Sequence, residues 1–445
     1  MNPIDSLNIG DLLKTQFVGP INSSVEKEVM LLKQLAWTNK HRMGNSRDIV
    51  HPINLVRNTS LGFRYGSTDG AGNAEHIPET APSETKQAQT KIRSLYAYVE
   101  FYGEALWLTQ NDLGAFADAF KNDIGSLIDS MKIEINRAAY GDGTGELGEV
   151  VEATPSNQIT IRTSATIAAS PNMNWFEKGQ LLDIYSPTNF AAGTATQRNA
   201  STTPIRVLTK SKGTTQVTLT VQQWNAGTGA WDAGTLNASF GVVAGDKVVV
   251  KGNYMREPYG LKAIIDDGSY TSDFLGIDES VYDRWNSYVQ NNSGTLEAFS
   301  EMKLQNIIDE LEIFDPTSEN ILLITRKDIR NKIARTIKTN ILQPSTTNLK
   351  GGFKTVDYGG IRLYTDIFAP YSKIWGVNLK NIIPHQLNPS KDNVFGAFSF
   401  QDLDGKVLHA ARKSDVYWAK GLMNYNFTCN QRNSHAVYED IDPAL

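Results

Sequence analysis

Cysteine is almost missing from this chain, because Cys429 is the single cysteine among 445 residues. One thiol cannot form an intrachain disulfide, and it cannot supply a multi-cysteine metal site. This usage fits a reducing compartment, or a fold in which thiols have no structural task. A small secreted domain held together by disulfides is therefore excluded.

Long hydrophobic runs are missing as well. No stretch approaches the ~18 uninterrupted apolar residues that predict a transmembrane helix. Residues 1–10 are polar and lack the basic and then apolar segments of a secretory signal. We therefore expect a soluble protein that is made in a cytoplasm and has no membrane partner.

The sequence also lacks the common catalytic and metal-binding motifs. Its six histidines are scattered, and no His-Glu-x-x-His, Cys-x-x-Cys, G-x-S-x-G or P-loop pattern occurs. A G-x-G-x-x-G match at 143–148 follows a predicted helix, where the helix dipole has the wrong sign for a phosphate. The half calcium loop at 402–406 lacks its terminal Glu and predicts a β-turn. We predict no catalytic residue, no cofactor and no metal, and hence no enzyme.

The chain is mildly acidic but its charge is uneven. It has 43 basic and 48 acidic residues, a net charge of −5, which does not indicate a nucleic-acid binder overall. Segment 33–64 has six basic residues and one acidic, a net +5, and segment 326–362 has nine and two, a net +7. The second segment contains a predicted helix whose candidate basic face comprises Lys327, Arg330, Lys332, Arg335 and Lys338. Either this face is merely solvated, or it contacts nucleic acid or an acidic neighbour without sequence specificity.

Three elements are predicted in the first third of the chain. Residues 1–47 read as an extended arm with one short helix, or as a frayed terminus. Residues 48–110 contain two strand-like runs, 49–65 and 89–108, around a polar tip, which predicts a long hairpin. In residues 111–154, apolar side chains spaced by three and four predict a helix of about 42 Å and its exit loop.

An arm and a two-stranded hairpin cannot bury their own apolar side chains, because such a ribbon is marginal in water. Both therefore need a partner surface, which a second copy of the chain can provide. The candidate inter-subunit contacts in these two elements are Trp37, Arg57, Arg64 and Tyr65.

The rest of the chain divides into two parts. In residues 155–255, 12 of 101 residues are charged, against 20% overall, and short Thr/Val runs alternate with turns. This pattern predicts a small antiparallel barrel or sandwich inserted into the chain. Residues 256–445 are mixed, with predicted helices at 304–313 and 327–342 around a buried strand at 321–325. The fold class is therefore α+β.

The order of these elements is distinctive, and four local motifs accompany it. They are the helix exit Ala138-Ala139-Tyr140-Gly141-Asp142-Gly143-Thr144-Gly145, the return Tyr259-Gly260-Leu261-Lys262, the segment Phe274-Leu275-Gly276-Ile277-Asp278 and the strand Gly360-Ile361-Arg362-Leu363-Tyr364-Thr365-Asp366. Order and motifs together resemble the major capsid proteins of tailed bacteriophages, which have the Hong Kong 97 fold.

The resemblance implies a division of the chain into five named parts. They are the N-arm (1–47), the E-loop hairpin with a P-domain strand (48–110), the spine helix and its exit loop (111–154), an inserted β-barrel-like domain (155–255), and the A-domain with the remaining P-domain (256–445). It implies a shell subunit that assembles with itself into pentamers and hexamers in a virion.

The implied partners are other copies of the chain and packaged double-stranded DNA, which would be contacted non-specifically. Portal, scaffolding and decoration proteins are compatible further partners, and assembly would take place in the host cytoplasm. Two alternatives stay open: a non-viral nanocompartment shell of the same fold, and a β-rich carbohydrate-binding or surface-binding protein. The latter would explain 155–255 but neither the arm nor the hairpin.

Overall fold

The structure is a computed structural model. It describes residues 31, 34–35, 48–61, 81–102, 127, 130–131, 133–153, 157–163, 171–199, 203–213, 216–232, 240–268, 273–340, 356–358, 360–386, 409–410 and 415–442. The predictions for Trp37, Arg64, Tyr65, most of the arm, most of the hairpin tip and most of the long helix lie outside these residues.

The described helices are α1, seen at 127, 130–131 and 133–138, and α2 Leu261–Ile264, α3 Glu301–Glu312 and α4 Lys327–Asn340. The described strands are β1 Asp48–Val56, β2 Glu84–Lys91, β3 Arg93–Tyr102, β4 Glu146–Ala153, β5 Gln158–Arg162, β6 Leu181–Tyr185, β7 Ile205–Lys212, β8 Val217–Asn225, β9 Ala230–Asp232, β10 Lys247–Val250, β11 Asp273–Phe274, β12 Ile277–Asp278, β13 Tyr288–Gln290, β14 Ile321–Thr325, β15 Val356–Tyr358, β16 Ile361–Thr365, β17 Ile374–Asn378, β18 Ile382–Gln386, β19 His409–Ala410, β20 Val416–Cys429 and β21 Ala436–Tyr438.

The core is a mixed sheet in the order β13-β21-β17-β14-β16-β15. Strand β14 is buried on both faces and pairs parallel to β16 and antiparallel to β17. Its residues alternate between two apolar clusters: Leu323 packs with α3 and α4, while Leu322 and Ile324 pack on the opposite side. The predicted buried strand is therefore present. Helix α3 starts earlier than predicted, because the Ser300 side chain accepts the Lys303 N–H and caps the helix.

A second sheet is built on the long strand β20. β3 pairs with β20 over ten residues, and β18 and β19 pair with its other edge. The predicted return strand of the hairpin therefore divides in two. β2 completes the hairpin with β1, whereas β3 leaves to pair with a strand more than 300 residues away, which local sequence patterns do not reveal.

The described strands between residues 146 and 250 form a closed antiparallel barrel. The order is β5-β4-β10-β6-β7-β8, a β5–β8 pairing closes the ring, and β9 adds to β8. Strands β5, β6, β7, β8 and β10 lie in the segment where the sequence predicts short antiparallel strands. Their inward side chains form a separate apolar cluster that includes Val150, Ile161 and Leu219.

The barrel begins earlier than the predicted boundary at residue 155. Residues 146–153, assigned from sequence to the exit loop of the long helix, form β4, which pairs with β5 and β10. The reason lies in charge compensation: the Lys247 ammonium on β10 lies 2.8 Å from both the Glu146 and the Glu149 carboxylates. An acidic stretch can therefore join a sheet, because its cationic partner comes from about 100 residues further along the chain.

A buried arginine connects the core elements. Arg432 has no exposed surface, and its guanidinium donates hydrogen bonds to the carbonyls of Ile264, Trp285 and Ala263 at 2.8, 3.1 and 3.1 Å. It also forms an ion pair with Glu279 at 2.6 Å. The carbonyls at the end of α2, which have no partner within that helix, are thereby satisfied.

We predict that Arg432→Met lowers the free energy of unfolding by about 3–5 kcal/mol, because it leaves the buried Glu279 carboxylate without its cation. Urea denaturation followed by fluorescence measures the change. The matched control is Arg284→Met at an exposed position, for which we expect a change within about 0.5 kcal/mol. Equal effects of the two substitutions would contradict the prediction.

Candidate assembly surfaces

One face of the β3–β20 sheet is exposed and aromatic. Tyr96 and Tyr98 are 62% and 53% exposed, whereas Ala97 between them is buried. The Tyr98 ring lies 5.9 Å from that of Trp418, and its hydroxyl donates a hydrogen bond to Glu100 at 2.7 Å. Tyrosine and tryptophan are enriched in protein–protein interfaces. This face is therefore a candidate contact surface.

The hairpin is anchored at its base and exposed at its far end. Ile53 and Leu55 of β1 are buried in the main core cluster, but Leu61, just beyond β1, is 81% exposed. The strands stay connected beyond β1, because the Thr59 N–H donates to the Ala81 carbonyl at 3.0 Å. Arg57 is exposed at the end of β1. The hairpin therefore presents apolar and cationic side chains away from its own core.

Helix α4 has an apolar side and a basic side. Ile329 and Ile333 have no exposed surface. Of the predicted basic face, Lys327 and Arg335 are exposed, Arg330 and Lys332 are half-buried, and Lys338 lies within the helix. The structure thus places these five residues on one helix, which packs Ile329 and Ile333 against the core.

The barrel is fastened to the core by a set of hydrogen bonds that the sequence does not indicate. Asn172, which is fully buried, donates from Nδ2 to the carbonyls of Ile367 and Ala369 at 2.8 and 2.9 Å. Trp175 donates from Nε1 to the Phe368 carbonyl at 3.0 Å. We call these bonds the barrel latch. Donors and acceptors are more than 190 residues apart, so no local pattern could reveal them.

The helix-exit motif (138–145) and the return motif (259–262) meet where the barrel joins the core. The Gly260 N–H donates to the Gly141 carbonyl at 3.1 Å, and the Leu261 N–H donates to the Ala139 carbonyl at 2.8 Å. A β-carbon at Gly260 would come within 2.5 Å of the Ala139 oxygen, so a larger residue does not fit. The Lys262 ammonium lies 2.8 Å from the Asp142 carboxylate. The helix exit and the return motif thus form one structural unit.

A buried charge network lies beside this junction. Arg137, on the last turn of α1, forms ion pairs with Glu134 at 2.6 Å and with Glu257. Asn253 donates to both carboxylates at 2.9 Å. Burial raises the pKa of Glu257, and Arg137 opposes that rise. The network therefore ties the end of the helix to the segment that returns from the barrel.

Cys429 and His435 form a buried neutral pair. Burial raises the pKa of the Cys429 thiol to about 12 and lowers the pKa of His435 to about 3, the Arg432 charge adding to the second shift. The Asn378 N–H donates to His435 Nδ1 at 3.1 Å. Both groups are therefore uncharged near neutral pH. Within the described residues, no cluster of three or more His, Cys, Asp or Glu could hold a metal ion.

None of the helices in the described part of the chain is both long and apolar enough to cross a bilayer.

Similarity to solved structures decides the fold. The capsid asymmetric unit of cyanophage A-1(L) matches over 93% of this chain and 93% of that chain, with a TM-score of 0.53 and 11% sequence identity. The chain has the fold of a phage capsid protein. At 11% identity the match confirms the predicted resemblance at the level of the fold. It also confirms the predicted α+β class. An encapsulin from Synechococcus elongatus PCC 7942 matches over 93% of this chain and 88% of that chain, with a TM-score of 0.42 and 9% sequence identity. Mycobacterium phage Patience matches over 97% of this chain and 88% of that chain, with a TM-score of 0.41 and 10% sequence identity.

Sequence comparison gave nothing further for this capsid-like chain. No family model and no curated protein matches it.

We predict that Asn172→Ala weakens the attachment of the barrel to the capsid-like core. It leaves the Ile367 and Ala369 carbonyls without their Asn172 donor, which lowers the free energy of unfolding by about 1–3 kcal/mol. Thermal and urea denaturation measure the loss. Asn331→Ala, at an exposed position on α4, is the control and should change stability by less than about 0.5 kcal/mol. A wild-type melting curve for Asn172→Ala would refute the latch.

Proposed function

We propose that this chain is the major capsid protein of a tailed phage, a structural subunit that assembles with itself into an icosahedral head. The observation that carries the proposal is the capsid fold, matched over 93% of both chains. The exposed aromatic sheet face and the exposed hairpin end support it, because each presents apolar surface that one subunit leaves uncovered. The protein acts by assembly rather than by catalysis.

The finer assignment follows the Hong Kong 97 plan. We propose that β1 and β2 form the E-loop, that α1 is the end of the spine helix, and that the β3–β20 sheet belongs to the P-domain. The core sheet with α3 and α4 is then the A-domain. The barrel, with its start moved to residue 146, is the inserted domain. Support comes from the element order and from the contact between the helix-exit and return motifs.

Copies of the chain would meet as pentamers and hexamers in the virion. We propose that the hairpin end and the aromatic face are buried between neighbouring copies, and that the basic face of α4 contacts packaged double-stranded DNA. The DNA contact would be purely electrostatic. It is supported by the single acidic residue, Asp328, among the 14 residues of this helix. Portal, scaffolding and decoration proteins would be further partners.

The decisive experiment is assembly of the purified full chain. We expect shells or capsomers in negative-stain micrographs and a fast-sedimenting species in analytical ultracentrifugation. A chain that stays monomeric at high concentration, with and without a crowding agent, would overturn the capsid proposal.

Leu61→Ser should impair assembly without affecting the folded subunit, because Leu61 is 81% exposed at the hairpin end. The matched control is Val281→Ser, which removes a 63% exposed apolar side chain elsewhere. We expect the assembled fraction, measured by sedimentation, to fall at least tenfold for Leu61→Ser and to stay unchanged for Val281→Ser. Unchanged assembly of Leu61→Ser would exclude the hairpin end as an inter-subunit contact.

Replacing Arg330, Lys332 and Arg335 with Gln should weaken binding to duplex DNA. The slope of the logarithm of affinity against the logarithm of salt concentration should fall by about 0.9 for each phosphate that the variant no longer neutralises. Fluorescence anisotropy with unassembled subunits measures this slope. A control with the same reduction in charge replaces Lys86, Lys178 and Lys251 with Gln. If both triple variants bind DNA alike, α4 is not the DNA-contacting surface.

A further inference from the structure

Strand β1 has one edge that no described strand covers. Its pairing with β2 is antiparallel and places Val50 opposite Gln89. The Gln89 N–H donates to the Leu275 carbonyl at 2.8 Å, so it points away from β1. In an antiparallel ladder both residues of such a pair direct their backbone groups outward. Val50, and by alternation Pro52 and Asn54, therefore present their backbone groups at the uncovered edge.

This edge provides acceptors and a donor to a chain that lies beside it. The carbonyls of Pro52 and Asn54 accept hydrogen bonds, and the Asn54 N–H donates one. Pro52 has no N–H, and proline in a sheet is confined to such edges. Asn54 is thus the position on this part of the edge that can both donate and accept.

The uncovered edge forms one wall of a groove of about 730 Å³, within the usual range of binding clefts. Residues 52–55 line this wall. The rest of the lining includes Phe314 and one charged residue, Arg284. It also includes the amide side chains of Asn381, Asn430, Gln431 and Asn433. Each amide carries a donor and an acceptor, as a peptide group does.

One of these amides lacks a hydrogen bond. The Asn433 Oδ1 atom is buried and has no hydrogen-bond partner in the described part of the structure. A buried acceptor without a donor is costly.

We propose that the groove holds an extended segment of a second copy of this chain, which adds to β1 as a third strand. An uncovered strand edge facing amides recognises polypeptide backbone rather than a small molecule. With Arg284 as the one charged residue of its lining, the groove does not suit a nucleic acid. In a shell of identical subunits, the neighbouring polypeptide is another copy. The inference rests on the proposed capsid function.

Asn54→Pro tests the proposal selectively. Proline removes the one backbone donor that residues 52–54 present at this edge, whereas the β1–β2 ladder keeps its hydrogen bonds because the Asn54 N–H points away from β2. The matched control is Asn54→Ala, which removes the side chain and keeps the N–H. We expect at least a tenfold loss of assembled particles for Asn54→Pro, and wild-type assembly for Asn54→Ala.

Hydrogen exchange on the wild-type chain supplies a second measurement that needs no variant. The amide of Asn54 should exchange at least tenfold more slowly in particles than in free subunits. Equal exchange rates, wild-type assembly of Asn54→Pro, or equal failure of both variants would overturn the groove proposal while leaving the capsid function intact. If the wild-type chain forms no particles, the proposed function fails instead.

Discussion

The structure depends on one crossing point, where the chain leaves the core for the barrel and later returns. Gly260 approaches the carbonyls of Ala138 and Ala139 so closely that a β-carbon at residue 260 would lie within 2.6 Å of their oxygens. The connection that leads into the barrel and the connection that leads out of it meet at this contact. The barrel can therefore close as a separate sheet, and the chain re-enters the core beside the point where it left. A side chain at residue 260 would push the two connections apart, and the barrel and the core with them.

The charged side chains at the crossing pair with one another inside the protein. Arg137 forms ion pairs with both Glu134 and Glu257, and Lys262 pairs with Asp142. Burial opposes the ionised form of Asp142, yet its pKa is lowered, since Lys262 and the bonds from Thr144 favour the carboxylate. Buried ion pairs add little net stability, but removing one partner is costly. They hold the two connections in one geometry rather than stabilising the whole molecule.

The fold was predictable where a residue's environment is decided by nearby sequence. The barrel strand β8 follows from its alternating Val and Thr residues, and α4 follows from the spacing of Ile329 and Ile333. Features that depend on distant partners were missed or misplaced. β4 needs Lys247 to compensate Glu146 and Glu149, β3 needs β20, and the barrel latch needs carbonyls more than 190 residues away from Asn172.

The same distinction between nearby and distant partners applies to the candidate assembly surfaces. Arg57 and the basic residues of α4 are visible in the sequence as charge. The aromatic face is not, because Tyr96 and Tyr98 become neighbours of Trp418 only through the β3–β20 pairing. The uncovered edge of β1 likewise depends on the direction of one hydrogen bond, from the Gln89 N–H to the Leu275 carbonyl. Such directions are properties of tertiary structure.

The long separation in sequence between β3 and β20 fixes the order in which the parts of the fold can form during synthesis. The barrel pairs strands within 146–250, so it can close while synthesis continues. The core cannot, because β3 waits for β20, and β13 and β17 wait for β21. The nascent chain therefore carries a finished barrel beside an unpaired β3 until β20 has emerged. During that interval the edges of β3 are open to pairing with other nascent chains.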